Sequence, residues 1–203
     1  GGDVLSKQKL IDAALSQYSL HGYHGATMKN IANDVGIKPA SIYFFYGNKE
    51  KLFIAAFQQL LDNHQKVMER IFNESQDKEI AQICISMLHG LVVHHTQNKK
   101  ETMAYISLVN TPIPEIKKYL QEHMLYFNNW MAQSFKNLIQ LNYPQITEIE
   151  VNLIIKQYVL IANGLFWSIN LYVGEAFHDQ IKVAKNFIQS IFSDLNNKYK
   201  NKP

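Results

Sequence analysis

Apolar residues recur along this chain at spacings of three and four, and no apolar–polar alternation persists, so the pattern predicts helices and no strands. Leu10, Ile11, Ala14, Leu15 and Tyr18 form one stripe of a helix over about 6–21, left through Gly22 and Gly25. Two short helices are predicted within 27–45. Asn48 then caps a long helix whose apolar positions 52, 53, 56, 57, 60, 61, 67, 68, 71 and 72 keep the helical period. Roughly 25 residues at ~1.5 Å each make a rod of about 37 Å. Further helices are predicted over about 78–95, 100–109 and 114–141, with a break at Thr111-Pro112-Ile113-Pro114 and a stop at Asn142-Tyr143-Pro144. Thr147-Glu148-Ile149-Glu150 reads as a capping box opening a helix that ends near Gly174. A last helix over about 179–199 carries Ile181, Ala184, Ile188, Ile191 and Leu195 on one face.

The stretch TMKNIANDVGIKPASIYFFYGNKEKLF, Thr27 to Phe53, carries the most specific information. Thr27 is placed to cap a short helix that buries Met28, Ile31, Ala32 and Val35. Gly36 suits a tight turn, and Ile37 can fill the angle between two helices. Pro39 falls where its missing N–H has no cost and its fixed φ suits the first turn of a second helix. There Ile42 and Phe45 or Tyr46 face inward, and Lys38, Ala40, Ser41 and Phe44 face outward. That is a helix-turn-helix with a recognition helix for the DNA major groove.

Thr27, Ile31-Ala32, Val35-Gly36-Ile37, Ser41-Ile42-Tyr43, Tyr46, Lys49-Glu50 and Leu52-Phe53 together resemble the N-terminal domain of the TetR family of bacterial transcriptional regulators. One departure is Phe45, where that family often has His or another polar residue. The resemblance covers roughly the first quarter of the chain. It implies an all-α, nine-helix TetR-like fold: a three-helix DNA-binding head over 1–47 and a larger ligand-binding and dimerisation body over 48–203. Lys38, Pro39, Ala40 and Ser41 are expected to meet base edges or the adjacent backbone and Thr27, Tyr43 and Lys49 to hold phosphates, with the outward Phe44 counted among the DNA-binding residues. No enzymatic activity and no cofactor are implied.

Composition adjusts this picture without overturning it. An apolar fraction of 47% excludes a disordered chain. The net charge is only +3, with +2 over residues 1–52 (six lysines against four acids), so DNA affinity must come from local placement of lysines. Arg70 is the single arginine among 20 basic residues, which removes the guanidinium fork favoured for guanine and points to thymine-methyl contact by Ala40 and to DNA shape, hence AT-rich half-sites. Cys84 is the single cysteine, in an apolar helical context, consistent with a reducing, cytoplasmic setting and a small buried hydrophobe. The first 25 residues lack the apolar core of a secretory signal. The apolar run Tyr158–Val173 is interrupted by Asn163, Ser168 and Asn170 and falls short of the ~20 residues of a membrane span, so no membrane partner is expected.

The helix over 151–173 is apolar nearly all round, with Ile154, Ile155, Tyr158, Val159, Ala162 and Phe166 on one side and Leu160, Gly164, Trp167 and Leu171 on another. Two apolar faces need two partners. One is the chain's own core; the other is a second copy, a homodimer joined through Leu160, Gly164, Trp167 and Leu171 with Ile188, Ile191 and Leu195 of the last helix, the four-helix arrangement the family resemblance implies. Burial within a monomer is the competing account. The resemblance also implies a small-molecule effector cavity among the middle helices. Candidate lining residues are Met68, Met87, Met103, Phe127, Trp130, Met131, Tyr158 and Phe166, with His64, His123 and Asn163 as polar groups, which suits a hydrophobic or cationic effector. The same side chains at the same spacing also make ordinary core. His89, His94 and His95 lack a completing carboxylate or cysteine, so no metal site is expected. No Gly-rich phosphate loop, nucleophile elbow or paired carboxylates occur. The expected function is a ligand-responsive repressor that binds a palindromic DNA operator as a homodimer. An effector-independent DNA-organising or partner-binding helical protein is the alternative.

Overall fold

In the computed structural model, residues 2–201 are described. Among them are nine helices: α1 (Gly2–Gly25), α2 (Met28–Val35), α3 (Pro39–Phe45), α4 (Lys49–Glu74), α5 (Ile80–Gln97), α6 (Lys99–Leu108), α7 (Pro114–Asn142), α8 (Glu148–Leu171) and α9 (Gly174–Tyr199). The all-α expectation holds, and its boundaries hold to within a few residues except at two places. The first helix does leave helical geometry at Gly22 (φ 70°, ψ −177°), but one more turn follows, with Ala26 N donating to Gly22 O at 3.0 Å. The last helix starts at Gly174 (φ 58°), five residues before the expected 179, and Phe177 of this added turn extends the stripe of Ile181, Ala184 and Ile188 onto the core.

The chain forms two compact units, one of residues up to Gln65 with Asn98–Leu125, the other of Lys66–Gln97 with Tyr126 onward. Both α4 and α7 contribute to each. In the first unit, Leu10, Ala14 and Tyr18 of α1 bury against Ile31 and Ala32 of α2, Ile42 of α3, Leu52, Phe53, Ala56 and Phe57 of α4, and Ala104, Leu108 and Ile116. The Tyr18 ring stands edge-on to Phe57 (4.9 Å, 82°), and its hydroxyl donates to Ser107 O at 3.2 Å. The core of this unit is thus completed by α6 and the start of α7, which lie beyond residues 1–47.

In the second unit, α5 supplies Ile83, Cys84, Met87 and Leu88, α7 supplies Met131, Phe135 and Ile139, and α8 and α9 close the core with Val151, Ile154, Tyr158, Ile188 and Phe192. The fully buried Tyr158 satisfies its hydroxyl on Cys84 O at 3.0 Å. Thr147 and Glu150 form the expected capping box: Glu150 N donates to Thr147 Oγ1 at 3.2 Å and Thr147 N to Glu150 Oε2 at 3.0 Å. The same Glu150 carboxylate accepts from Lys198 Nζ and Tyr199 Oη, which ties the end of α9 to the start of α8 and makes the two an antiparallel hairpin. Those charge-assisted contacts hold the Glu150 carboxyl down to about 2.

Candidate nucleic-acid interface

The helix-turn-helix is built by local rules. Thr27 Oγ1 accepts from Asn30 N at 3.1 Å and starts α2. Gly36, at φ 79°, lies in the left-handed region that a side chain would disfavour, and there its N–H reaches Ala32 O at 2.9 Å while Ile37 N reaches the same carbonyl at 3.0 Å. The chain therefore turns within Gly36–Lys38 and re-enters a helix at Pro39, in its first turn as expected. Ile42 is the anchor of α3, fully buried among Ile31, Ala32 and the α1 and α4 side chains. Phe45 and Tyr46 are both half-buried against that core.

With Ile42 inside, the rest of α3 is directed outward. Lys38, Pro39 and Ala40 are exposed, Ser41 is half-buried, and Tyr43 and Phe44 are 52% and 83% exposed. Ala40, Tyr43 and Phe44 share one helix face, at positions i, i+3 and i+4. Of the eight residues expected to touch DNA, six (Thr27, Lys38, Pro39, Ala40, Tyr43, Phe44) are thus exposed on the helix-turn-helix or its caps. Lys49 is placed differently. Its Nζ donates to the Tyr23 carbonyl at the end of α1 and sits 4.2 Å from the Tyr23 ring centroid, and burial lowers its pKa. It staples α4 to α1. Sequence reasoning passed over Lys29 and Lys51, both exposed, on α2 and in the first turn of α4. Their charge beside the motif was the signal available.

The residues expected around an effector separate into three groups. In the first unit, His64 and His123 do meet, with ring centroids 5.8 Å apart, and Tyr105 stacks on His64 at 6.3 Å while its hydroxyl reaches Met124 Sδ at 3.2 Å; Met103, by contrast, is 48% exposed. Burial lowers the His123 pKa. In the second unit, Met68, Met87, Met131 and Tyr158 are packed core, and the void beside Tyr158, Cys84 and Phe135 is only about 10 Å³. Phe127 and Trp130 are half-buried against that core, and Phe166 stands edge-on to His95 (4.8 Å, 72°). Asn163 is exposed, on the side of α8 away from its own core.

The α8 residues expected at a second copy are outward: Leu160 (74% exposed), Gly164, Trp167 and Leu171. On α9 the structure differs from the expectation. Ile188 and Leu195 belong to the core of their own chain, together with Ala184 and Phe192, and only Ile191 is half-exposed. Val183 and Phe187, passed over in the sequence, are exposed instead. A one-position rotation about the helix axis accounts for this, since an apolar stripe alone does not say which of two adjacent rows faces inward. Leu160, Ile161, Gly164, Val183, Phe187 and Ile191 line an open groove of about 380 Å³ between the two helices. Among the described residues α8 is the one helix long and apolar enough to cross a membrane.

A short helix anchored by one buried isoleucine and preceded by a glycine turn has the geometry of a helix-turn-helix. Residues 10–56 match the model of the family described as bacterial regulatory proteins, tetR family. It is 45% identical over 47 residues to the biofilm operon icaADBC HTH-type negative transcriptional regulator IcaR of Staphylococcus epidermidis, 23% of this chain and 25% of that protein. It is 34% identical over 56 residues to the HTH-type transcriptional regulator RutR of Escherichia coli K12, 28% of this chain and 26% of that one. The chain thus aligns with about a quarter of the length of these relatives. Over the whole fold it is similar to FadR of Bacillus subtilis, solved in complex with stearoyl-CoA, at a TM-score of 0.70 and 16% identity over 91% of this chain and 96% of that one. The fatty acid degradation regulator FadR of Bacillus halodurans gives 0.69 and 15% over 90% and 94%. At these identities the likeness is one of fold.

Proposed function

We propose that this protein is a ligand-responsive transcriptional regulator that binds a near-palindromic DNA operator as a homodimer and represses until a small effector releases it. The observation that carries the proposal is the exposed face of α3, where Lys38, Pro39, Ala40, Tyr43 and Phe44 lie open on a helix fixed by Ile42. Residues 1–47 are assigned to DNA binding and 48–203 to effector binding and dimerisation. Thr27, Tyr43 and Lys49, with Lys29 and Lys51, contact phosphates; Lys38, Pro39, Ala40, Ser41 and Phe44 face the bases or the adjacent backbone. One seven-residue recognition helix reads too few bases for useful selectivity, and a two-fold dimer sets two of them about 34–36 Å apart on successive major grooves. The occupant of the α8–α9 groove is therefore a second copy of this chain, whose own Leu160, Trp167, Val183 and Phe187 supply the matching apolar strip. The repressor assignment follows the negative regulator IcaR, and the stearoyl-CoA of the B. subtilis FadR favours a hydrophobic effector. Effector binding acts only through its difference in affinity for the DNA-competent and incompetent states. A cytoplasmic setting belongs to the same proposal.

The packed surroundings of Met87, Met131 and Tyr158 favour a second reading, an effector-independent DNA-organising or partner-binding helical protein. One experiment separates them: selection of sites from a random DNA pool at fixed salt, repeated with hydrophobic and cationic compounds including a long-chain acyl-CoA. A palindrome released by one compound supports the regulator. A palindrome that no compound releases leaves the second reading, and no enriched site overturns both.

A further inference from the structure

We infer that Phe44 sets the base preference of this protein by seating its ring against thymine 5-methyl groups in the major groove. The inference rests on the DNA-binding reading above and deepens it. Phe44 is 83% exposed, the most open of the aromatic side chains in the head, on the one helix whose other face is locked into the core by Ile42. It is not loose: Phe45, half-buried against the core, stands edge-on to it at 5.5 Å and 87°. Ala40 lies one turn before it on the same face. The surface that would meet base edges therefore pairs a methyl group with a positioned aromatic ring.

The polar groups at α3 are the Lys38 ammonium, the half-buried Ser41 hydroxyl and the Tyr43 hydroxyl. Arg70, the single arginine of the chain, lies outside residues 1–47, so no guanidinium fork is available to this face. The exposed lysines Lys29 and Lys51 flank the motif as point charges suited to phosphates. Among groups that base pairs display in the major groove, the thymine methyl is the apolar one. An apolar side chain held out on a recognition helix has that group as its natural partner.

The experiment uses the full chain and the duplex enriched by random-pool selection, resynthesised with deoxyuridine at each thymine in turn. That change removes the methyl and keeps the pairing. Wild type should lose about fourfold in affinity per contacted methyl, from the transfer of one buried CH₂-sized group. At the thymine that its ring covers, Phe44→Ala should bind the thymine and uracil duplexes equally. Because Phe44 is exposed, the variant should retain its thermal midpoint and its affinity for non-specific DNA, which separates lost readout from lost folding. Equal binding of the two duplexes by wild type, a full thymine preference in Phe44→Ala, or a selected site whose half-sites lack thymine opposite α3 would each overturn the inference while leaving DNA binding intact. Failure of wild type to bind any duplex would overturn the DNA-binding reading, and the inference with it.

Discussion

Gly90, in the middle of α5, tests how tightly the second unit is packed. A Cβ added there would lie 2.2 Å from Ile71 Cδ1, 3.2 Å from its Cγ1 and 3.3 Å from its Cγ2. Rotation about χ2 can swing Cδ1 away, but both γ carbons are fixed to Cβ, and a β-branched residue in a helix has essentially one good χ1. The clash therefore falls on the α4–α5 spacing. Overpacking of this kind costs about 1–3 kcal/mol, against about 1 kcal/mol gained from Gly to Ala in a helix interior. The expected net for Gly90→Ala is a destabilisation of about 1 kcal/mol, a fall of about 2–4 °C in the thermal midpoint for a chain of this size. Ile71→Ala removes Cδ1 and both γ carbons and alone costs about 2–5 kcal/mol. In the Gly90→Ala background it should cost about 1 kcal/mol less, so a double-mutant cycle by urea denaturation should give a coupling of about 1 kcal/mol. If Gly90→Ala raises the midpoint by the full helix-propensity gain, or the two changes are additive, the close approach is not there.

Three further outcomes are expected. Lys49→Ala removes both a clamp on Tyr23 and a charge beside the motif, so it should lower the thermal midpoint and flatten the dependence of log affinity on log salt by about one unit; weaker binding with an unchanged slope would make Lys49 a positioning residue only. Phe187→Lys with Leu160→Lys should shift sedimentation from dimer to monomer and weaken operator binding with little change in thermal stability, since both side chains are exposed in the single chain; a persistent dimer would move the interface elsewhere. Burial presses His95 down to about 4 from an ordinary 6.5, with His94 adding repulsion. Between those values the unfolded chain binds the proton and the folded chain does not, so stability should be full above pH 6.5 and fall as pH drops toward 4, by about 3 kcal/mol at most. Urea melts from pH 7 to 4.5 on wild type and His95→Phe check this, and equal slopes for the two would refute it.

The sequence by itself carried the helices and the head, because those depend on local physics. Thr27, Gly36 and Pro39 specify cap, turn and helix start through the backbone of their immediate neighbours, and Ile42 must be inside if Ala40, Tyr43 and Phe44 are outside. The capping box at Thr147 and Glu150 was legible for the same reason. What required tertiary structure was the partner of each face. An apolar stripe says that a helix needs covering but not by what, so Ile188 and Leu195 could be taken for interface residues until they were seen packed in their own core, with Val183 and Phe187 exposed beside them. Met87, Met131 and Tyr158 look the same in sequence whether they line a cavity or fill one, and only packing against Cys84 and Phe135 shows them as core. Lys49 marked the start of α4 by its position, yet that its ammonium turns back to the Tyr23 carbonyl depends on where α1 ends in space. Periodicity fixes the direction a side chain takes from its own helix axis; what it meets there is decided by residues far away in the chain, and that is a property of the fold.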